Sequence, residues 1–197
     1  MTLILASASA SRAAMLRGAG LDFEILPARI DEDEIKLALK ADGAKVRDAA
    51  TALAELKAHR VSQNAGADFV IAADSMLDCG GEWFDKPADM AAARLQLQAL
   101  RGKTHDLVSA VVLARGGSVI WRHAEAARLT MRDFSDGFLD AYLAQAGEAV
   151  LSSVGCYQLE GLGVQLFSRI QGDFFTILGL PLLPLLDILR ENKVLRA

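Results

Sequence analysis

The stretch "LILASASASRAAMLRGAG", Leu3 to Gly20, decides how the chain begins to fold. A short apolar run leads into serines alternating with alanines, then an arginine, then apolar residues at helical spacing. An ordinary turn at that point would use Gly, Asn, Asp or Pro. Small side chains instead let a ligand come close to the backbone where a strand hands over to a helix. Thr2–Ala6 reads as a buried strand, and Ser9–Ala19 as a helix stopped by Gly18 and Gly20. A helix N-terminus at that place gathers backbone N–H groups and the positive dipole end, which is a ready anion site. Ser7, Ser9 and Ser11 add hydroxyl donors, and Arg12 adds a fixed charge one turn in. The GxxxxGK[ST] phosphate loop is absent. The same residues also read as a serine-rich helix cap with a surface arginine.

Outward from this stretch, strands and helices alternate. Phe23–Leu26 reads as a strand, and the acidic run Asp31–Glu34 precedes a helical stretch. Arg47–Gln63 is an alanine-rich helix with Ala50, Leu53, Leu56 and Val61 at helical spacing. Phe69–Ala73 is an apolar strand that ends at Asp74. Leu77–Phe84 reads as a hairpin turning at Gly80–Gly81, and Ala88–Leu100 as a helix opened by Pro87. Thr104–Ala114 and Ser118–Arg132 read as two long strands joined at Gly116–Gly117. Ser135–Gln145 is a helix with Ser135 as N-cap, Gln158–Ile170 a glycine-punctuated strand, and Pro181–Arg190 the last helix. The pattern predicts a mixed α/β fold and excludes a repeat or a helical bundle.

Composition narrows the class. The 197 residues are 52% hydrophobic, enough for a substantial core in one domain or two lobes. The net charge of -4 advertises no basic surface, so nucleic acid is not expected as a partner. Cys79 and Cys156 form no CxxC pair and suggest free thiols rather than a disulfide framework or a zinc site. The start of the chain lacks a basic leader. "FFTILGLPLLPLLDIL", Phe174–Leu189, is broken by Gly179, Pro181 and Pro184, so no membrane span is expected. The expectation is a cytoplasmic protein.

Three further places could carry chemistry. An apolar strand ending in Asp74 sets a carboxylate at the carboxyl edge of a sheet, where α/β folds bind ligands. Asp74 could hold a metal or orient a water, and Asp74–Ser75 equally reads as a turn cap. Lys86, before a proline-started helix, is a point charge suited to phosphate or a solvated loop lysine. His105 could be a base or merely a strand-end residue, whereas His59 and His123 lack the companions of a metal site. An anion-binding turn, a strand-end carboxylate and separate lysines together fit metal-assisted hydrolysis of a phosphate ester. No Ser-His-Asp or Cys-His spacing competes.

The segments "LILASASASR", "DFEILPARIDE", "LAELKA", "VIAADS", "FDKPAD", "LRGKTH", "GCYQLEGLG", "GD" and "LGLPL" follow one another in an ordered set. Over residues 2–190 this set resembles the Maf proteins, also called septum-formation inhibitor proteins. The resemblance implies a mixed, twisted α/β sheet with helices on both sides and a deep nucleotide cleft, similar to the inosine triphosphate pyrophosphatases. Residues 1–197 would form a single Maf-like domain of two lobes around that cleft. It further implies hydrolysis of a nucleoside triphosphate to the monophosphate and pyrophosphate with a divalent cation, Mg²⁺ or Mn²⁺. On that resemblance the catalytic residues are Asp74, Lys57 and Lys86. Ser7, Ser9, Ser11, Arg12, Ser75 and Glu160 contact substrate, and Asp74 with Glu32 holds the metal. A homodimer is a candidate assembly, since family members are often dimers. The alternative is a nucleotide-binding regulator of septation with little turnover.

The chain departs from the family pattern at Ala10 and Ser11, where a proline and an arginine are usual. It also departs at Ser75, usually Thr, and at Glu160, a glutamine in pyrimidine-type members. A carboxylate at 160 can accept from guanine N1–H and the exocyclic amine together. "EGLGVQLFSRI" is similar to the branch acting on 7-methyl-GTP, so a guanine-type or modified base is expected.

Overall fold

A computed structural model describes residues 2–196. In chain order the elements are β1 (Leu3–Leu5), α1 (Ala10–Gly18), β2 (Glu24–Ile25), α2 (Glu32–Ala41), α3 (Val46–Ser62), β3 (Phe69–Cys79) and β4 (Glu82–Phe84). There follow α4 (Met90–Leu100), β5 (Thr104–Arg115), β6 (Ser118–Met131), α5 (Asp136–Ala146), β7 (Phe167–Gln171), α6 (Phe174–Ile177) and α7 (Leu182–Glu191). Short 3₁₀ turns cover Gly147–Ser152 and Leu162–Leu166. The fold is mixed α/β. One seven-stranded sheet runs in the order β2-β1-β3-β5-β6-β7, with β4 paired to β3.

The chain divides into two compact units, and β3, β5 and β6 contribute residues to both. The first unit comprises the described parts of 1–75, 109–125 and 174–197. β1 is buried along its length and pairs in parallel with β2 (Ile4↔Glu24) and with β3 (Ile4↔Val70). A strand covered on both faces needs a continuous apolar run rather than alternation, as "LIL" and "FVIAA" supply. Ala13 and Leu16 of α1 and Leu182, Leu185 and Leu189 of α7 pack with Leu5, Phe69, Ile71 and Leu113 in one core cluster. Burying each leucine is worth roughly 2 kcal/mol. Among the described residues no helix is long and apolar enough to cross a membrane.

The second unit comprises 76–108 and 126–173. Its hairpin pairs Leu77 with Phe84 and Cys79 with Glu82. Gly80 and Gly81 turn it at φ 66° and 91°, the left-handed pair that a two-residue hairpin demands. Asp89 caps α4 and Ser135 caps α5, each through its side chain.

Two sequence readings change. β3 does not end at Asp74 but continues to Cys79, so the carboxylate sits in mid-strand. Gln158–Ile170 is strand only from Phe167, its glycines serving turns instead. A Cβ on Gly163 would lie 2.6 Å from the Gln158 carbonyl oxygen, which fixes that residue as glycine. The last helix, read at Pro181–Arg190, is α7, and the short α6 precedes it.

Candidate active site

The first unit assembles a polar cluster around β3. Asp74 is only 4% exposed, a cost that an isolated carboxylate could not meet. Its Oδ1 accepts a 2.7 Å hydrogen bond from Lys57 Nζ, and Lys57 is itself 7% exposed on α3. The same Nζ lies 2.8 Å from Glu32 Oε1, at the start of α2. Lys57 thus bridges two carboxylates. Among the described residues, Asp74 Oδ2 is buried without a hydrogen-bond partner.

The serine turn lies in the same unit. Ser9 caps α1, its side chain accepting from the Arg12 N–H. Ser7 is buried, and its Oγ accepts from Ser9 N and from an Arg12 guanidinium N–H, each at 3.2 Å. Its hydroxyl proton remains for an outward bond. Ser11 is half-buried in the first turn of α1. Arg12 reaches back to β3, donating to Ala73 O at 2.8 Å and to Ser75 Oγ at 3.1 Å. Burial pulls the Arg12 guanidinium below the usual arginine range, opposed by the charges of Asp74 and Glu32.

Two of the expected residues belong to the second unit. Lys86 lies in the loop between β4 and α4, and Glu160 is exposed in the turn before Leu162–Leu166. His105 is buried there, its Nε2 3.0 Å from the Tyr157 hydroxyl, and burial pushes its pKa down to about 4. At neutral pH it is an uncharged packing residue. Sequence reasoning missed Ser109, Thr176 and Gly179, which bond to Arg12 or Ser75 directly or in series. The available signal was Ser109 itself, a lone hydroxyl inside the apolar run "LVSAVVL".

The cluster fits a divalent cation. Asp74 and Glu32 are hard oxygen donors, and Asp74 Oδ2 has coordination capacity that the protein does not use. Among the described residues no three His, Cys, Asp or Glu side chains form a metal-holding group. A magnesium-like ion held by one or two carboxylates takes its other ligands from water and substrate phosphates.

Compared with known proteins, residues 2–192 match the family described as Maf-like protein. The chain belongs to that family. Among relatives of this Maf-like protein, a nucleoside triphosphate pyrophosphatase from Paramagnetospirillum magneticum is 59% identical, over 96% of the chain and 97% of the relative. One of the same name from Granulibacter bethesdensis is 54% identical over 99% of each. A 7-methyl-GTP pyrophosphatase from Brucella abortus is 52% identical over 97% of the chain and 96% of the relative.

Proposed function

We infer that this Maf-like protein is a nucleoside triphosphate pyrophosphatase: water adds to the α-phosphorus, the α–β bridging P–O bond breaks, and pyrophosphate leaves with that oxygen. The observation that carries the reading is Asp74, buried, with one oxygen on Lys57 and the other without a partner among the described residues. Asp74 and Glu32 would hold the divalent cation, Mg²⁺ or Mn²⁺, which supplies Lewis-acid neutralisation of phosphate charge when bound. Lys57 fixes Asp74 Oδ1, so Oδ2 is the oxygen left, with one lone pair for the cation and the other to orient the attacking water and take its proton. The Ser7 hydroxyl proton and the first N–H groups of α1 meet phosphate oxygens. The family resemblance assigns Lys86 to the charge of the triphosphate. The assembled Asp74–Lys57–Glu32 set favours turnover over nucleotide binding alone.

For the base, Glu160 would accept from guanine N1–H and the exocyclic amine, two donors that thymine and uracil do not present together. 7-Methylguanine keeps both and adds a positive charge. The Brucella relative's name supports the same branch. The test is pyrophosphate release from GTP, 7-methyl-GTP, ITP, dTTP, UTP and CTP with Mg²⁺ or Mn²⁺. Guanine-type preference is the expected result. Preference for dTTP or UTP would keep the pyrophosphatase and discard the Glu160 reading, and no release from any of them would discard both.

A further inference from the structure

Arg12 was expected to lie against substrate phosphate, yet its guanidinium is engaged on almost every side by the protein. Nε–H donates to Gly179 O at 2.8 Å. One terminal nitrogen donates to Ser7 Oγ at 3.2 Å and Ala73 O at 2.8 Å, and the other to Ser75 Oγ at 3.1 Å. Four bonds draw on the five N–H groups a guanidinium has.

The acceptors are placed to control Asp74. Ala73 and Ser75 are its two chain neighbours, and in a strand the Ser75 side chain points to the face opposite Asp74. Ala6 N–H donates to Ile71 O at the end of the β1–β3 ladder. The next β3 carbonyl on that side is Ala73 O, where the guanidinium takes the place a β1 N–H would have occupied. From Ser75 the bonding continues inward with a fixed direction. Ser109 gives its only proton to Thr176 O at 2.8 Å. In the 2.8 Å Ser75–Ser109 pair, therefore, Ser75 is the donor. The chain runs Arg12 to Ser75 to Ser109 to the Thr176 carbonyl, and bonds aligned in this way strengthen one another. The Ser75 hydroxyl proton is thereby committed inside the protein rather than to a substrate. Gly179 closes the brace at φ +98°, where a Cβ would meet Ser75 Oγ at 3.1 Å.

We propose that Arg12 is a positioning residue, the hub of a brace with Ser75, Ser109 and the Gly179 carbonyl that fixes Asp74 from the far face of β3, and not a ligand of the triphosphate. The inference rests on the pyrophosphatase reading, which wild-type turnover tests separately. Lysine keeps the charge but not the planar fork, so it cannot serve these acceptors together.

The experiment measures kcat and KM for Arg12→Lys, and binding of inorganic pyrophosphate with Mg²⁺ by calorimetry, a readout that needs no turnover. The expected result is a kcat lower by on the order of 100-fold, the effect of a slightly misplaced catalytic group. KM and pyrophosphate affinity should stay within about twofold. Pyrophosphate affinity weakened tenfold or more would make Arg12 a phosphate ligand and overturn the proposal, as would unchanged kcat. Should Arg12→Lys fail to fold, Ser75→Ala decides, since it cuts the brace with the guanidinium left in place. A kcat lower by roughly tenfold with unchanged pyrophosphate affinity supports the brace. Wild-type kcat in Ser75→Ala overturns it.

Discussion

At the scale of the residue, Asp74 and Lys57 explain each other. Neither charge would survive burial alone, because desolvation of an unpaired ion costs several kcal/mol. Together, with Glu32 on the same ammonium, they hold a carboxylate with one oxygen fixed and one uncommitted. That division of roles gives a sharp expectation for Asp74→Asn. The amide oxygen still accepts from Lys57, which keeps its ion pair with Glu32, so the thermal midpoint should move by only a few degrees. The general base and one cation-holding charge are both removed. Pyrophosphate release should therefore fall by roughly 10²–10⁴-fold at saturating nucleotide. Steady-state kinetics beside a melting curve checks both halves, and wild-type turnover in this variant would remove Asp74 from the reaction.

At the scale of the element, the sequence was most legible where periodicity and caps agreed. The helices at α1, α3, α4, α5 and α7 and the paired strands β5 and β6 lie within a few residues of where spacing put them. The error at β3 has a physical cause. Two polar residues, Asp74 and Ser75, look like the end of an apolar strand. Tertiary partners supply what solvent would have supplied, Lys57 for one and Arg12 with Ser109 for the other, so the strand runs on through Met76 and Leu77. Lys57 itself was visible only through family resemblance, since its ion pairs join residues distant in sequence. The second long reading error, Gln158–Leu166, arose because close packing against glycine resembles strand punctuation.

The helix α2 stands apart. None of its residues is buried, and Leu37 is 72% exposed. Beside its packing on α3 and the Glu32–Lys57 pair, local terms hold it: the Asp31 side chain accepts from Glu34 N–H at 3.1 Å, and three acidic residues sit in its first turn. This lightly packed helix carries Glu32 to the site. Asp31→Ala should therefore cost about 1 kcal/mol within α2 alone. Amide exchange there should accelerate roughly fivefold while the global melting point stays put. Mass-resolved hydrogen exchange reads both. A drop in global stability equal to the local loss would mean that α2 unfolds only with the whole chain.

At the scale of the whole molecule, acid stability turns on a residue outside the candidate site. In the second unit His105 is 2% exposed, packed near Tyr157 and Phe167, with Nδ1 unpartnered among the described residues. Burial holds its pKa at about 4, against the 6.5 of a free imidazole, with the smaller pull of Asp106 opposing it. The unfolded chain therefore binds a proton between pH 6.5 and 4 that the folded chain refuses. Stability is unaffected by this group above pH 6.5, falls as pH drops through that window, and levels below about 4. The full loss is on the order of 3 kcal/mol. Asp106 and Asp136, held below the usual carboxylate range by Arg128 and Arg101, lose their contributions only at lower pH, so the two effects separate. Urea midpoints taken from pH 7 to pH 4 should slope downward in the wild type and flatten in His105→Gln, which keeps a polar partner for Tyr157 but cannot take the proton. A wild type with no slope above pH 4.5 would show that His105 gains its proton without unfolding, and the buried, neutral imidazole would have to be replaced by a solvated one.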